Sequence, residues 1–169
     1  MQCVEKLAIY DSLTLRRDIE RKSWLGFRIL FFYFLGLLNP MSVPRSLDGF
    51  DVIAAVERML DQPALWWQAV GLFVEHFADW EGQWQASIGN DLQERKRVHS
   101  VRSAAANVGA MRLAEAAGGL EDVLLKRLAG QAVEIPESMR DRLRDSFHQA
   151  WQAAAEAWQI NRLGPGGQA

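Results

Sequence analysis

The chain has 169 residues, 49% of them hydrophobic, which is enough for one compact domain with a real core and too little for several. Its 19 Lys and Arg against 21 Asp and Glu leave a net charge of −2, so no global field draws it to nucleic acid or to an anionic membrane, and any electrostatic recognition has to be local. The single cysteine, Cys3, excludes an internal disulfide framework and a cysteine metal cluster and fits a reducing, cytoplasmic setting.

Residues 1–40 differ in kind from the rest. A basic segment, RRDIERK, leads into the apolar run WLGFRILFFYFLGLL (Trp24–Leu38), which stops at Asn39-Pro40. As a membrane span the run is short of the ~20 apolar residues a bilayer core requires, and it carries Arg28, so membrane contact is not expected. As a secretory signal it lacks a small-x-small cleavage site before Pro40. The third reading starts the native chain at Met41, where MSVPRSLDGF opens like an ordinary soluble terminus. The expected organisation is therefore an apolar extension over 1–40, a helical domain over 41–162 and a flexible tail over 163–169, ending GPGGQA.

From Asp48 on the periodicity is helical, with no alternation long enough for a strand, so the class is all-α. A short helix is expected over Phe50–Leu60. Pro63 then suits the first turn of a long second helix reaching Ile88, with Val70, Phe73, Phe77, Trp80, Trp84 and Ile88 on one apolar stripe. Gly89-Asn90 breaks it. Asn90 caps a third helix with Gln93 three positions on, and Gly109 supplies a left-handed stop after Val108. A fourth helix aligns Leu113, Ala116/Ala117, Leu120, Leu124 and Leu128. A fifth starts at Pro136 and aligns Met139, Leu143, Phe147, Ala150/Trp151, Ala154 and Trp158. Short connections force antiparallel neighbours, which predicts an up-and-down antiparallel four-helix bundle with the short N-terminal helix capping one end.

On the third helix Val98, Val101, Ala105 and Val108 share the apolar side, so His99 is rotated off it and partly exposed. Its neighbours one turn away are Arg95, Lys96, Arg102 and Ser103, with Ala106 a turn further. Arg95, Lys96 and Arg102 put charge-assisted donors within reach of an anion on the ring, and Ser103 and Ala106 keep the surface beside it low enough for a partner's site. The plain alternative for the three cations is a solvated helix face. His76 and His148, beside core Phe77 and Phe147, read as boundary residues. The chain shows no Gly-rich phosphate loop and no carboxylate cluster with metal-ligand spacing, so no metal site is expected.

The stretch HSVRSAAANVGAMRLAEAAGGLED resembles the signature of histidine phosphotransfer (HPt) domains, and the likeness covers about residues 48–160. In that family the phosphorylated His is followed by a basic residue three on, then a small residue, then a Gly ten on. Here these are His99, Arg102, Ser103 and Gly109, with Arg102 and Ser103 standing where the family usually has Lys and Gly. A polar side chain on the next helix commonly orients the ring, and its counterpart is Glu121. The resemblance implies that His99 takes a phosphoryl group from an aspartyl phosphate on the receiver domain of a hybrid sensor kinase and passes it to a response regulator. It also implies a phosphoryl carrier rather than an enzyme, a monomer, with no cofactor of its own and Mg²⁺ supplied by the receiver. Two other function classes fit the residues: a helical adaptor on a degenerate version of this fold, and a membrane-tethered regulator acting through residues 24–38.

Overall fold

The computed structural model describes residues 42–163, so the apolar run Trp24–Leu38 and the final GPGGQA lie outside the described residues. Within them the chain forms six helices and no strand: α1 (Val52–Arg58), α2 (Pro63–His76), α3 (Trp80–Gln85), α4 (Asp91–Val108), α5 (Met111–Leu128) and α6 (Glu137–Leu163). The fold is all-α. The α2–α3 segment, α4, α5 and α6 make the four long members of the bundle, and α1 lies across the end where α4 turns into α5.

Both ends of α4 are built from specific local chemistry. The Asn90 side chain accepts the Gln93 N–H at 3.1 Å and starts α4. Gly109 stops it with φ +90, and a Cβ there would lie 2.5 Å from the Asp51 carbonyl oxygen, so both backbone conformation and space require glycine. The Asp51 N–H donates to the Gly109 carbonyl at 2.8 Å. Buried Trp66 donates its indole N–H to the Val108 carbonyl at 3.0 Å, and Arg58 donates to that of Ala106 at 2.9 Å. Carbonyls at the helix end are thus bonded by α1 and α2.

Four expectations change in the structure. The long second helix is two helices, because at Phe77 the chain shifts to a tighter turn, with the Trp80 N–H bonded to the Phe77 carbonyl at 3.1 Å. The break lets Trp80 stack on Trp84 at 5.2 Å, meet Phe147 at 4.6 Å and donate its indole N–H to the Arg97 carbonyl at 3.1 Å. Docking these indoles outweighs the one or two backbone bonds of a continuous helix. Ile88 is exposed instead of closing the stripe, since the chain turns outward after Trp84, where the Ser87 hydroxyl donates to the Trp84 carbonyl at 2.6 Å. Leu128, at the end of α5, is also exposed. The first helix is shorter than Phe50–Leu60, with Asp51 as its N-cap and Leu60 and Asp61 in left-handed conformation beyond it.

α2 and α6 approach closely at Gly71, where the Trp158 ring lies on the bare Cα and a Cβ would come within 2.6 Å of it. Gly71→Ala should therefore lose about 1–3 kcal/mol of stability through overpacking, despite the better helix propensity of Ala. Urea unfolding measures it, and Gly71→Ala in a Trp158→Leu background should lose much less.

Candidate functional site

α4 places its apolar stripe inward, with Val98, Val101, Ala105 and Val108 buried, which leaves the His99 side chain 55% exposed on the outer face. The ring Nδ1 lies 2.9 Å from Oε1 of Glu121 on α5. An ionised carboxylate only accepts, so Nδ1 carries the hydrogen and donates it, and the lone pair of the neutral ring stays on Nε2.

Glu121 is 2% exposed, and three side chains of one α4 face converge on it. Besides His99, Arg102 donates through Nη1 to Oε2 at 3.1 Å, and the Arg95 Nε lies 3.3 Å from Oε1 as an ion pair without hydrogen-bond alignment. Burial by itself would raise the Glu121 pKa. The hydrogen bonds from Arg102 and His99 and their charges outweigh it and hold the carboxyl below its ordinary 4.5.

The remaining residues singled out by sequence fall into two groups. Lys96 and Ser103 are exposed beside the ring. Ala106 is half-buried against the core, with its carbonyl taken by Arg58, so it presents less to a partner than its spacing suggests. The spacing placed Arg95 and Arg102 around the ring itself. Both instead reach it through the Glu121 carboxylate.

His76 and His148 are both exposed, and neither repeats the His99 arrangement. The Nε2 of His148 is engaged by Glu81 at 2.9 Å, the opposite nitrogen from the one His99 commits, and His76 meets Phe77 edge-on at 5.2 Å. Two further features escaped the sequence reading. Glu94 is fully buried and forms a two-pronged ion pair with Arg140 of α6, at 2.9 and 3.1 Å, whose hydrogen bonding raises the Arg140 pKa above its ordinary value. Its signal was a carboxylate one turn before Val98 on an otherwise apolar stripe. The other is Gly118, over which the Arg102 guanidinium lies; its signal was a Gly-Gly pair inside a helical pattern, where each glycine needs a packing reason.

Residues 73–153 match the family model of the Hpt domain. The chain carries an Hpt domain over that stretch. The matched stretch runs from α2 into α6 and contains His99, Arg102, Gly109 and Glu121, whereas α1 precedes it. Comparison with curated proteins and with solved structures gave no match. Hpt membership implies histidine phosphotransfer in phosphorelays and interaction with receiver domains of two-component systems. Among the described residues of this Hpt protein no helix is long and apolar enough to cross a membrane, and no group of His, Cys, Asp or Glu is placed to hold a metal ion.

Because the folded state lowers the Glu121 pKa, the stability this carboxylate contributes is present above pH 4.5 and disappears as the pH falls through its lower native value. Glu121→Gln should cost about 1–3 kcal/mol at neutral pH and flatten the stability profile in that acid window. Chemical unfolding from pH 3 to 7 tests this, and an unchanged acid profile would contradict the assignment.

Proposed function

We propose that this Hpt protein accepts a phosphoryl group on His99 from an aspartyl phosphate of a hybrid kinase's receiver domain and passes it to the receiver of a response regulator. The observation that carries the reading is the His99–Glu121 bond. By holding the hydrogen on Nδ1 it leaves Nε2 as the nucleophile on an exposed ring. The Nε2 lone pair forms the N–P bond as the P–O bond to the aspartate breaks, and the bonding pair leaves with the aspartate carboxylate. The ring then bears positive charge, which the Glu121 carboxylate faces through Nδ1–H. The return step to a second aspartate reverses these bonds.

Such a transfer needs alignment and charge neutralisation more than covalent help from the carrier. On this reading Arg102, Arg95 and Lys96 stabilise the phosphoryl oxygens, Ser103 and the edge of Ala106 face the receiver, and the Mg²⁺ belongs to the receiver's site. The protein acts as a monomeric phosphoryl carrier in the cytoplasm, with the catalysis supplied mainly by its partner.

Incubation with phosphorylated receiver domains tests the proposal. Wild-type protein should take up an acid-labile, base-stable phosphate, and His99→Gln should keep the helical fold and take up none. Label persisting on His76 or His148 would sink the assignment, and full partner function without His99 would favour a non-catalytic adaptor. Arg102→Ala should slow transfer about tenfold, as loss of one charge-assisted hydrogen bond of ~1.5 kcal/mol implies, with the fold retained. Stopped-flow transfer to one receiver measures it, and an unaltered rate would return Arg102 to a solvated helix face.

A further inference from the structure

Arg102 crosses α5 directly over Gly118, which offers the guanidinium a floor without a side chain. A Cβ built on Gly118 would meet only Arg102 among its nearest neighbours, at 3.4 Å from Nε, 3.5 Å from Cζ and 3.7 Å from Nη2. Gly118 is buried and lies one turn before Glu121 on the same face of α5, so the guanidinium passes over it to reach the Glu121 Oε2. Mid-helix glycine is unfavourable relative to alanine, and the three atoms nearest to a Cβ there all belong to the Arg102 guanidinium. Gly119 differs, since a Cβ there would only touch the end of Met139 at 3.5 Å.

We propose that Gly118 is a positioning residue, whose bare surface routes the Arg102 guanidinium to Glu121 and so stations that cation one helical turn from the His99 ring, where a phosphoryl group on Nε2 would meet it. The inference rests on His99 as the acceptor for its consequence in phosphotransfer, but the routing of Arg102 is a property of the unphosphorylated protein. The planar guanidinium is wider than an ammonium and delivers its bonds in a fixed plane, so an arginine at position 102 depends on the floor beneath it in a way a lysine would not. A Cβ alone would rest in van der Waals contact with the guanidinium, whereas the branched side chain of valine would displace Arg102 without removing it.

The full chain carrying Gly118→Ala or Gly118→Val provides the test, with two readouts. The first is the carboxyl titration of Glu121 followed by carbon NMR. The Arg102 hydrogen bond is the largest single influence lowering that carboxyl, so its midpoint should move up, little in Gly118→Ala and further in Gly118→Val, towards the value in Arg102→Ala. A purely structural role for Gly118 would leave the midpoint in place, and an unmoved midpoint overturns the proposal whether or not His99 carries phosphate. The second is phosphoryl transfer, after loading His99 with phosphoramidate so that no donor receiver is involved. Gly118→Val should slow transfer to a receiver about tenfold, and the Gly118→Val/Arg102→Ala double variant should be no slower than either single change. Effects that multiply, to about a hundredfold, would show that Gly118 acts apart from Arg102 and would overturn the proposal. Failure of phosphoramidate to label His99 would instead refute the function proposed above, while leaving the titration result to stand.

Discussion

A carboxylate that water cannot reach organises the surface of this protein. Glu121, 2% exposed, is held by His99, Arg102 and Arg95, which occupy one face of α4 at successive turns. A buried carboxylate without such partners would be neutralised or would unfold the helix pair. Here the compensation has a direction, since every group that stabilises the anion is aimed by it. The imidazole presents one particular nitrogen, and two guanidinium groups wait beside it. The same interaction therefore serves packing between α4 and α5 and fixes the side chains on their outer face.

The aim holds only if α4 and α5 keep their register, and the fold secures this away from the site. The Gly109 turn joins the two helices with almost no slack, and α1 and Trp66 bond carbonyls in the last turn of α4. At the other end Glu94 and Arg140 tie α4 to α6 through a buried ion pair. Such a pair is weak evidence for net stability, but breaking one partner strands a buried charge, so slippage of α4 along α6 is disfavoured. The ring thus stands on a helix fixed at both ends, which suits a step that depends on alignment.

The contrast between His99 and His148 shows how little separates the proposed carrier site from an ordinary surface pair. Each imidazole contacts a carboxylate at 2.9 Å on a neighbouring helix, and each has an arginine one turn earlier on its own helix that reaches the same carboxylate. The difference lies in which nitrogen is committed and how deeply the carboxylate is buried. His148 spends its distal Nε2 on a partly exposed Glu81, whereas His99 spends Nδ1 on a buried Glu121 and keeps the distal nitrogen.

Much of this was legible in the residues alone. Helical periodicity, the Asn90 cap and the Gly109 stop are local signals, governed by contacts within a few positions, so the class, the bounds of α4 and the outward direction of His99 followed from the amino-acid order. The resemblance of the His99 stretch pointed in the same direction. The tertiary structure decided the rest, because it depends on what other helices bring. The second helix broke at Phe77 so that Trp80 and Trp84 could dock, which no period in one segment reveals. Arg95 and Arg102 look alike as exposed cations in sequence, but the burial of Glu121 across the helix pair turned both inward. Gly118 reads as a flaw in α5 until Arg102, from another helix, lies upon it. Local order determined which faces existed, and only packing, through burial and the need to pair buried charge, determined what each face met.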